Sequence, residues 1–123
     1  YHSRWASETA FPTLAQGQTS GPLRLVFTNT GSLPWVRGAP GGQANLGINL
    51  DDRSFAVLGV GWPTPDRVAI QAESFVAPGG TATFAFTVRA PAAPGTYAIH
   101  LRPVIDGTTW MEDEGVYLLV AVR

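Results

Sequence analysis

Pro78-Gly79-Gly80-Thr81-Ala82-Thr83-Phe84-Ala85-Phe86-Thr87-Val88-Arg89-Ala90-Pro91 decides the fold class of this chain. Ala82, Phe84, Phe86 and Val88 fall on one face of an extended backbone, whereas Thr81, Thr83, Thr87 and Arg89 fall mostly on the other. Successive side chains of a β-strand point to opposite sides, so the alternation predicts a half-buried antiparallel strand. The Pro-Gly-Gly before it and the Ala-Pro after it are breakers that set its ends.

The same period runs outward along the chain. After Pro94-Gly95 a second strand places Tyr97, Ile99 and Leu101 inward and Ala98, His100 and Arg102 outward, ending near Pro103. A last strand runs from about Val116 to Val122. Upstream, Leu23 to Thr28 is closed by Asn29-Thr30-Gly31, a turn sequence in which Asn and Gly tolerate positive φ. Residues 43–50 and 55–60 carry weaker strand signals, parted by a turn at Asp51-Asp52-Arg53-Ser54. Residues 67–76 hold one or two short strands, and Arg4 to Ala10 reads as a first edge strand. Between 61 and 66 two prolines lie two apart, which excludes regular structure there. No helical stripe persists for three turns. Seven to nine short strands with turn signals about every ten residues predict an all-β, antiparallel sandwich with Greek-key connections. A length of 123 residues makes this one domain, 1–123, with residues 1–10 as a candidate edge or exchangeable strand.

Composition narrows the function classes. Charged residues are only 14% of the chain, against a usual quarter, so much of its surface is expected to be covered in its native setting. The 14 glycines and 10 prolines sit at strand joints and do not indicate disorder. All eight basic residues are arginine and balance nine acids to a net charge of −1, which leaves no electrostatic footprint for nucleic acid. The apolar runs are too short for a membrane span. Without cysteine there is no disulfide framework, thiolate zinc site or cysteine nucleophile, and without lysine no Schiff base. The chain opens at Tyr1 instead of Met, which suggests a processed chain or an excised fragment.

Catalytic constellations are not legible. The histidines are His2, near the terminus, and His100, on an outward strand face, and no Gly-x-Ser-x-Gly elbow occurs. The reading is therefore non-enzymatic, with no cofactor. Asp51-Asp52 and Glu112-Asp113-Glu114 are the dense carboxylate groups, and they lack the Asp-x-Asp-x-Asp spacing of a calcium loop. Solvated turns account for them better than calcium does. Trp62 stands near Asp66 and Arg67, and Trp110 near Glu112, Asp113 and Glu114. Exposed tryptophan flanked by acids and arginine suits a sugar surface or a protein hot spot, while rings folded over the sandwich ends are the structural alternative. Trp35 and Tyr97 are assigned to structure: a plug at the end of the core, and a tyrosine corner. Asp106-Gly107 signals a two-residue hairpin. The last strand is apolar on both faces, and Tyr117, Leu119 and Ala121 on its second face are candidate interface residues.

Taken in order, Asn29-Thr30-Gly31, Pro34-Trp35, Val76-Ala77-Pro78-Gly79, Ala90-Pro91, Pro94-Gly95-Thr96-Tyr97 and Gly107-Thr108-Thr109-Trp110 form a recognisable series. The chain resembles, from about Trp5 to Val122, the immunoglobulin-like four-tryptophan-type domain, closest to the versions in bacterial surface and secreted proteins. The resemblance implies an immunoglobulin-like β-sandwich and a non-catalytic structural or protein-interaction module, extracellular or at the cell surface. Its expected partners are other protein chains or copies of itself, in a fibre, layer or larger surface assembly. The alternative is a carbohydrate-binding module that uses Trp62 and Trp110 on cell-wall or surface glycan.

Overall fold

A computed structural model describes residues 1–123. The chain is all-β, with strands β1 (Ser3–Glu8), β2 (Thr13–Leu14), β3 (Leu23–Asn29), β4 (Trp35–Val36), β5 (Ala44–Ile48), β6 (Gly59–Val60), β7 (Arg67–Ile70), β8 (Phe75–Val76), β9 (Thr81–Val88), β10 (Gly95–Ile105), β11 (Thr109–Trp110) and β12 (Tyr117–Val122). These twelve strands exceed the expected seven to nine, because five of them (β2, β4, β6, β8 and β11) are two-residue ladders inside loops. Residues 55–60 are corrected in kind: Ala56–Leu58 is a 3₁₀ turn and only Gly59–Val60 is strand.

One sheet has the order β1-β3-β9-β6, a second β2-β12-β10-β5-β7 with β11 beside β10, and β4 pairs with β8. All of these pairings are antiparallel except β2 with β12. Ala82, Phe84, Phe86 and Val88 of β9 join Leu23, Leu25 and Phe27 of β3 in a buried cluster that also contains Leu46, Ile48, Ile99, Leu101, Leu118, Val120 and Val122 of the second sheet. Phe27 and Phe84 meet edge to face at 5.9 Å, the arrangement that ring quadrupoles favour. The two sheets thus share one core. Trp35 is fully buried in it.

Two buried polar side chains organise the ends of this core. The Asn29 amide donates to the carbonyls of Leu33 (2.9 Å) and Val76 (3.1 Å) and accepts the Gly31 N–H (3.1 Å). No residue of Asn29-Thr30-Gly31 has positive φ, so the segment works through this side chain and not through the left-handed turn expected of it. Gln71 donates to the carbonyls of Trp35 (3.0 Å) and Glu73 (2.9 Å) and accepts the Ala44 N–H (2.8 Å). Both amides are satisfied, which removes the desolvation cost of burying them.

β10 continues through Pro103 to Ile105, past the expected end. Proline is tolerated because its carbonyl accepts the Met111 N–H (3.0 Å) while its missing N–H falls where residues 112–115 leave the ladder between Met111 and Val116. That departure carries the acidic run to the far sheet. Glu112 accepts the Ser3 N–H (3.2 Å) and Glu114 the Trp5 N–H (2.8 Å), so the two carboxylates cap the outer edge of β1. Charged side chains on these edge donors disfavour further pairing.

Candidate functional site around Arg67 and Trp110

The outer face of the second sheet gathers its polar residues by register. Gly47 of β5 pairs with Arg102 of β10 on one side and Arg67 of β7 on the other. A bulge at Val68 turns Val68 and Ala69 both into the core, which leaves Arg67 pointing outward. The β10–β11 turn has three residues, not two: Thr108 N–H donates to the Ile105 carbonyl (2.9 Å) and Gly107 takes φ 83°. It returns Trp110 opposite Val104, so that the indole extends over Gly47. A Cβ at position 47 would lie 3.0 Å from Trp110 Cη2 and 3.1 Å from Cζ3. Glycine therefore lets the ring lie closer to the sheet than a side chain at this position would allow. The guanidinium carbons of Arg67 and Arg102 stand 4.9 and 5.3 Å from the ring centroid, within cation–π range.

Arg67 is the hub of the cluster. Its Nη1 meets Asp51 at 2.8 Å and donates to the Asp66 carbonyl (2.9 Å), while Nε and Nη2 form a fork on Asp106 (3.0–3.2 Å). The Arg67 bonds hold the Asp106 carboxyl below the usual carboxylate range, against its partial burial and with help from the Asn45 amide. Burial pushes the Asp66 carboxyl up, but the Thr64 hydroxyl (2.7 Å), Arg67 and Arg53 outweigh it and keep it low. The network runs on from Asp106 to Asn45 (2.7 Å), from Asn45 to Gln43 (2.9 Å) and from Gln43 to the Gly38 N–H (2.8 Å). Two open clefts of about 250 and 310 Å³ flank it and share Asp106: one along Gly38, Pro40, Gly41, Gln43 and Asn45, the other along Asp51, Arg67, Val104, Thr109 and Trp110. The arrangement offers carboxylate and amide acceptors beside an aromatic ring.

The other candidate residues disperse. Trp62 lies at the β6–β9 edge, where its Nε1 donates to the Thr87 carbonyl (3.0 Å) and its ring packs on the core, so the structure does not bring it to Trp110. Asp66 is buried behind Arg67. Glu112, also 3.0 Å from His2, and Glu114 hold β1. Asp113 accepts the Gly115 N–H (3.0 Å) and faces His100 at 2.8 Å, and these two groups lower its carboxyl. The other His100 nitrogen faces Asn49 (3.4 Å), so neither is bonded to a hydroxyl. Asp51 is thus committed to Arg67, Glu112 and Glu114 to β1, and Asp113 to His100 and Gly115, and no group of three or more His, Cys, Asp or Glu side chains is placed to hold a metal ion.

Tyr117 is 47% exposed and meets Phe11, itself 41% exposed, at 5.6 Å between ring centres with the planes tilted by 37°, while Leu119 and Ala121 are half-buried. Tyr97 is half-buried, and its hydroxyl donates to the Ala93 carbonyl (2.8 Å). Sequence reasoning missed Asp51 as an Arg67 partner, Asp106 beyond its turn, Arg102, Asn45 and Gly47. The one signal for them was Gly47, a glycine inside an otherwise apolar strand, which marks a close approach.

The fold and cluster together define an all-β protein with a braced polar sheet face. No family model matches the chain, and no curated protein matches it significantly.

Proposed function

We propose that this chain is an immunoglobulin-like β-sandwich of the four-tryptophan type and acts as a non-catalytic structural or protein-interaction module, extracellular or at the cell surface. In this reading it serves as a subunit or repeat unit of a fibre, layer or larger surface assembly. Three features support the sandwich: the strand order of the two sheets, their shared core and the Tyr97–Ala93 bond.

The observation that carries the interaction reading is the Phe11–Tyr117 pair. Two aromatic rings, in contact with their planes tilted by 37°, stay nearly half-exposed at the outer face of β12, beside half-buried Leu119 and Ala121. Exposed apolar patches on low-charge surfaces mark contact sites. The test is sedimentation at rising concentration of the wild type and of F11S/Y117S, with circular dichroism to verify the fold. The expected result is self-association weakened at least tenfold in the variant; identical association constants would overturn the role of this patch.

A second reading, glycan binding, draws on the Trp110–Arg67–Asp106–Asn45 face, where an aromatic ring borders two clefts lined by carboxylate and amide groups. Titration with cell-wall oligosaccharides while tryptophan fluorescence is followed should show quenching that W110F removes and W62F keeps. No change in fluorescence would end this reading.

A further inference from the structure

Leu50 is 86% exposed, more than any other large apolar side chain of the chain. Its backbone is held there at a cost. Leu50 (φ 61°) and Asp51 (φ 53°) are the two non-glycine residues with positive φ, and they are consecutive. Each left-handed L-residue costs about 1 kcal/mol or more, which persists only where surrounding contacts impose it. Those contacts are present: Asp51 is fixed on Arg67 at 2.8 Å, Asp52 N–H donates to the Asn49 carbonyl (3.4 Å), and Asp52 accepts the Ser54 N–H (2.8 Å). A strained, braced loop with an apolar tip has already met the ordering cost of a binding contact.

The chain also carries a receptacle of matching chemistry. Between the β6 edge of one sheet and the β7 edge of the other lies an open cleft of about 270 Å³, lined by Pro22, Val60, Val68, Ala85, Phe86 and Thr87 with no charged side chain. At about 270 Å³ and with mostly apolar walls, this cleft has room for an apolar side chain. Arg24 stands next to Ala85 in the β3–β9 register and takes part in no ion pair. Beside Leu50, Asp52 is likewise without a basic partner. Knob and cleft are thus both apolar, with an unpaired acid beside the one and an unpaired arginine beside the other.

We infer that Leu50 of one copy docks into the Val60–Phe86 cleft of a second copy, with Asp52 meeting the partner's Arg24. This contact rests on the interaction-module reading but uses neither Phe11 nor Tyr117. All test variants therefore carry F11S/Y117S, so that the knob-and-cleft contact is read alone. In sedimentation velocity the F11S/Y117S parent should associate with rising concentration. Adding L50D or V60E should leave monomers with unchanged circular dichroism, and an equimolar mixture of those two should associate again, because one supplies the knob and the other the cleft. L50G should lose association while melting higher than its parent, since glycine accepts the left-handed backbone; a merely structural leucine would lower the melting temperature. R24D/D52R should restore association lost in R24D. A parent that stays monomeric, L50D that associates like its parent, or a mixture that stays monomeric would each overturn the contact. None of these outcomes bears on the wild type against F11S/Y117S comparison, which tests the interaction reading itself.

Discussion

Trp62 and Trp110 are built alike and used differently. Each indole lies over a glycine: Gly59 beneath Trp62, where a Cβ would come within 3.0 Å of Cδ2, and Gly47 beneath Trp110 at the same distance from Cη2. Trp62 is then finished by one hydrogen bond to the Thr87 carbonyl, among Ala56, Pro63 and Pro65. Trp110 is set between two guanidinium groups, one of which binds three aspartates. The first ring closes the edge of a sheet and the second belongs to a charged face. The difference arises from which strands the rings cross, since β7 and β10 bring arginines to Gly47 while β9 brings only its backbone to Trp62.

The largest test of this contrast is R67M. It removes the cation from Asp51, Asp66 and Asp106 and should cost about 3 kcal/mol in denaturant melts at pH 7, chiefly because the buried Asp66 carboxylate loses its neighbouring cation, while half-exposed Asp51 and Asp106 add little. The deficit should shrink below pH 4, where the abandoned carboxylates protonate, and the Trp62 region should show no such pH dependence. A deficit equal at pH 7 and pH 3 would mean that Arg67 acts by packing alone.

Next come the two glycines. G59A should cost about 2 kcal/mol, because its Cβ would also meet the Ala56 carbonyl at 3.1 Å, a backbone atom that cannot step aside. G47A should cost about 1 kcal/mol, since the Trp110 and Arg67 side chains can shift. Equal costs would show that the two floors are equivalent. W62F should then lose about 1 kcal/mol, the net worth of one hydrogen bond, and the loss should not change with salt.

D106N gives the smallest effect. Asp106 titrates below the usual carboxylate range in the folded chain, so its contribution is present above about pH 4 and is lost as pH falls through its lowered value. Because its carboxylate is 46% exposed, solvent screening reduces the gap from the wild type to about half a kcal/mol at pH 7. That gap should close in thermal melts as pH falls below the usual carboxylate range. A constant gap would remove the Arg67–Asp106 pair from the account.

Much of the fold was legible because period-two alternation is a local property. The inward residues of β9 are all buried as their spacing predicted, and Ile99 and Leu101 of β10 likewise. The two-residue strands were not legible, since so short a ladder leaves no period to read. Nor was the run through Pro103: whether a proline interrupts a strand depends on whether its missing N–H faces a partner, and that partner lies outside the segment. For the candidate site, the sequence placed Arg67 beside Asp66 and singled out Trp110, but it joined Trp110 to Glu112 and Glu114 because they are neighbours in the chain. Across the sheet, the neighbours of Trp110 are Arg102, Gly47 and Arg67 instead.

The sequence by itself determined the all-β class, the inward face of the main strands, and the joints set by proline and glycine, because alternation and backbone restriction act within a few residues. The tertiary structure alone decided that a bulge at Val68 turns Arg67 outward, that Glu112 and Glu114 cap β1, and that Leu50 is held in solvent by an aspartate bonded to Arg67. Each of these depends on register or on a contact between residues far apart in the chain, and a strand shifted by one residue would send the same side chains to the opposite face.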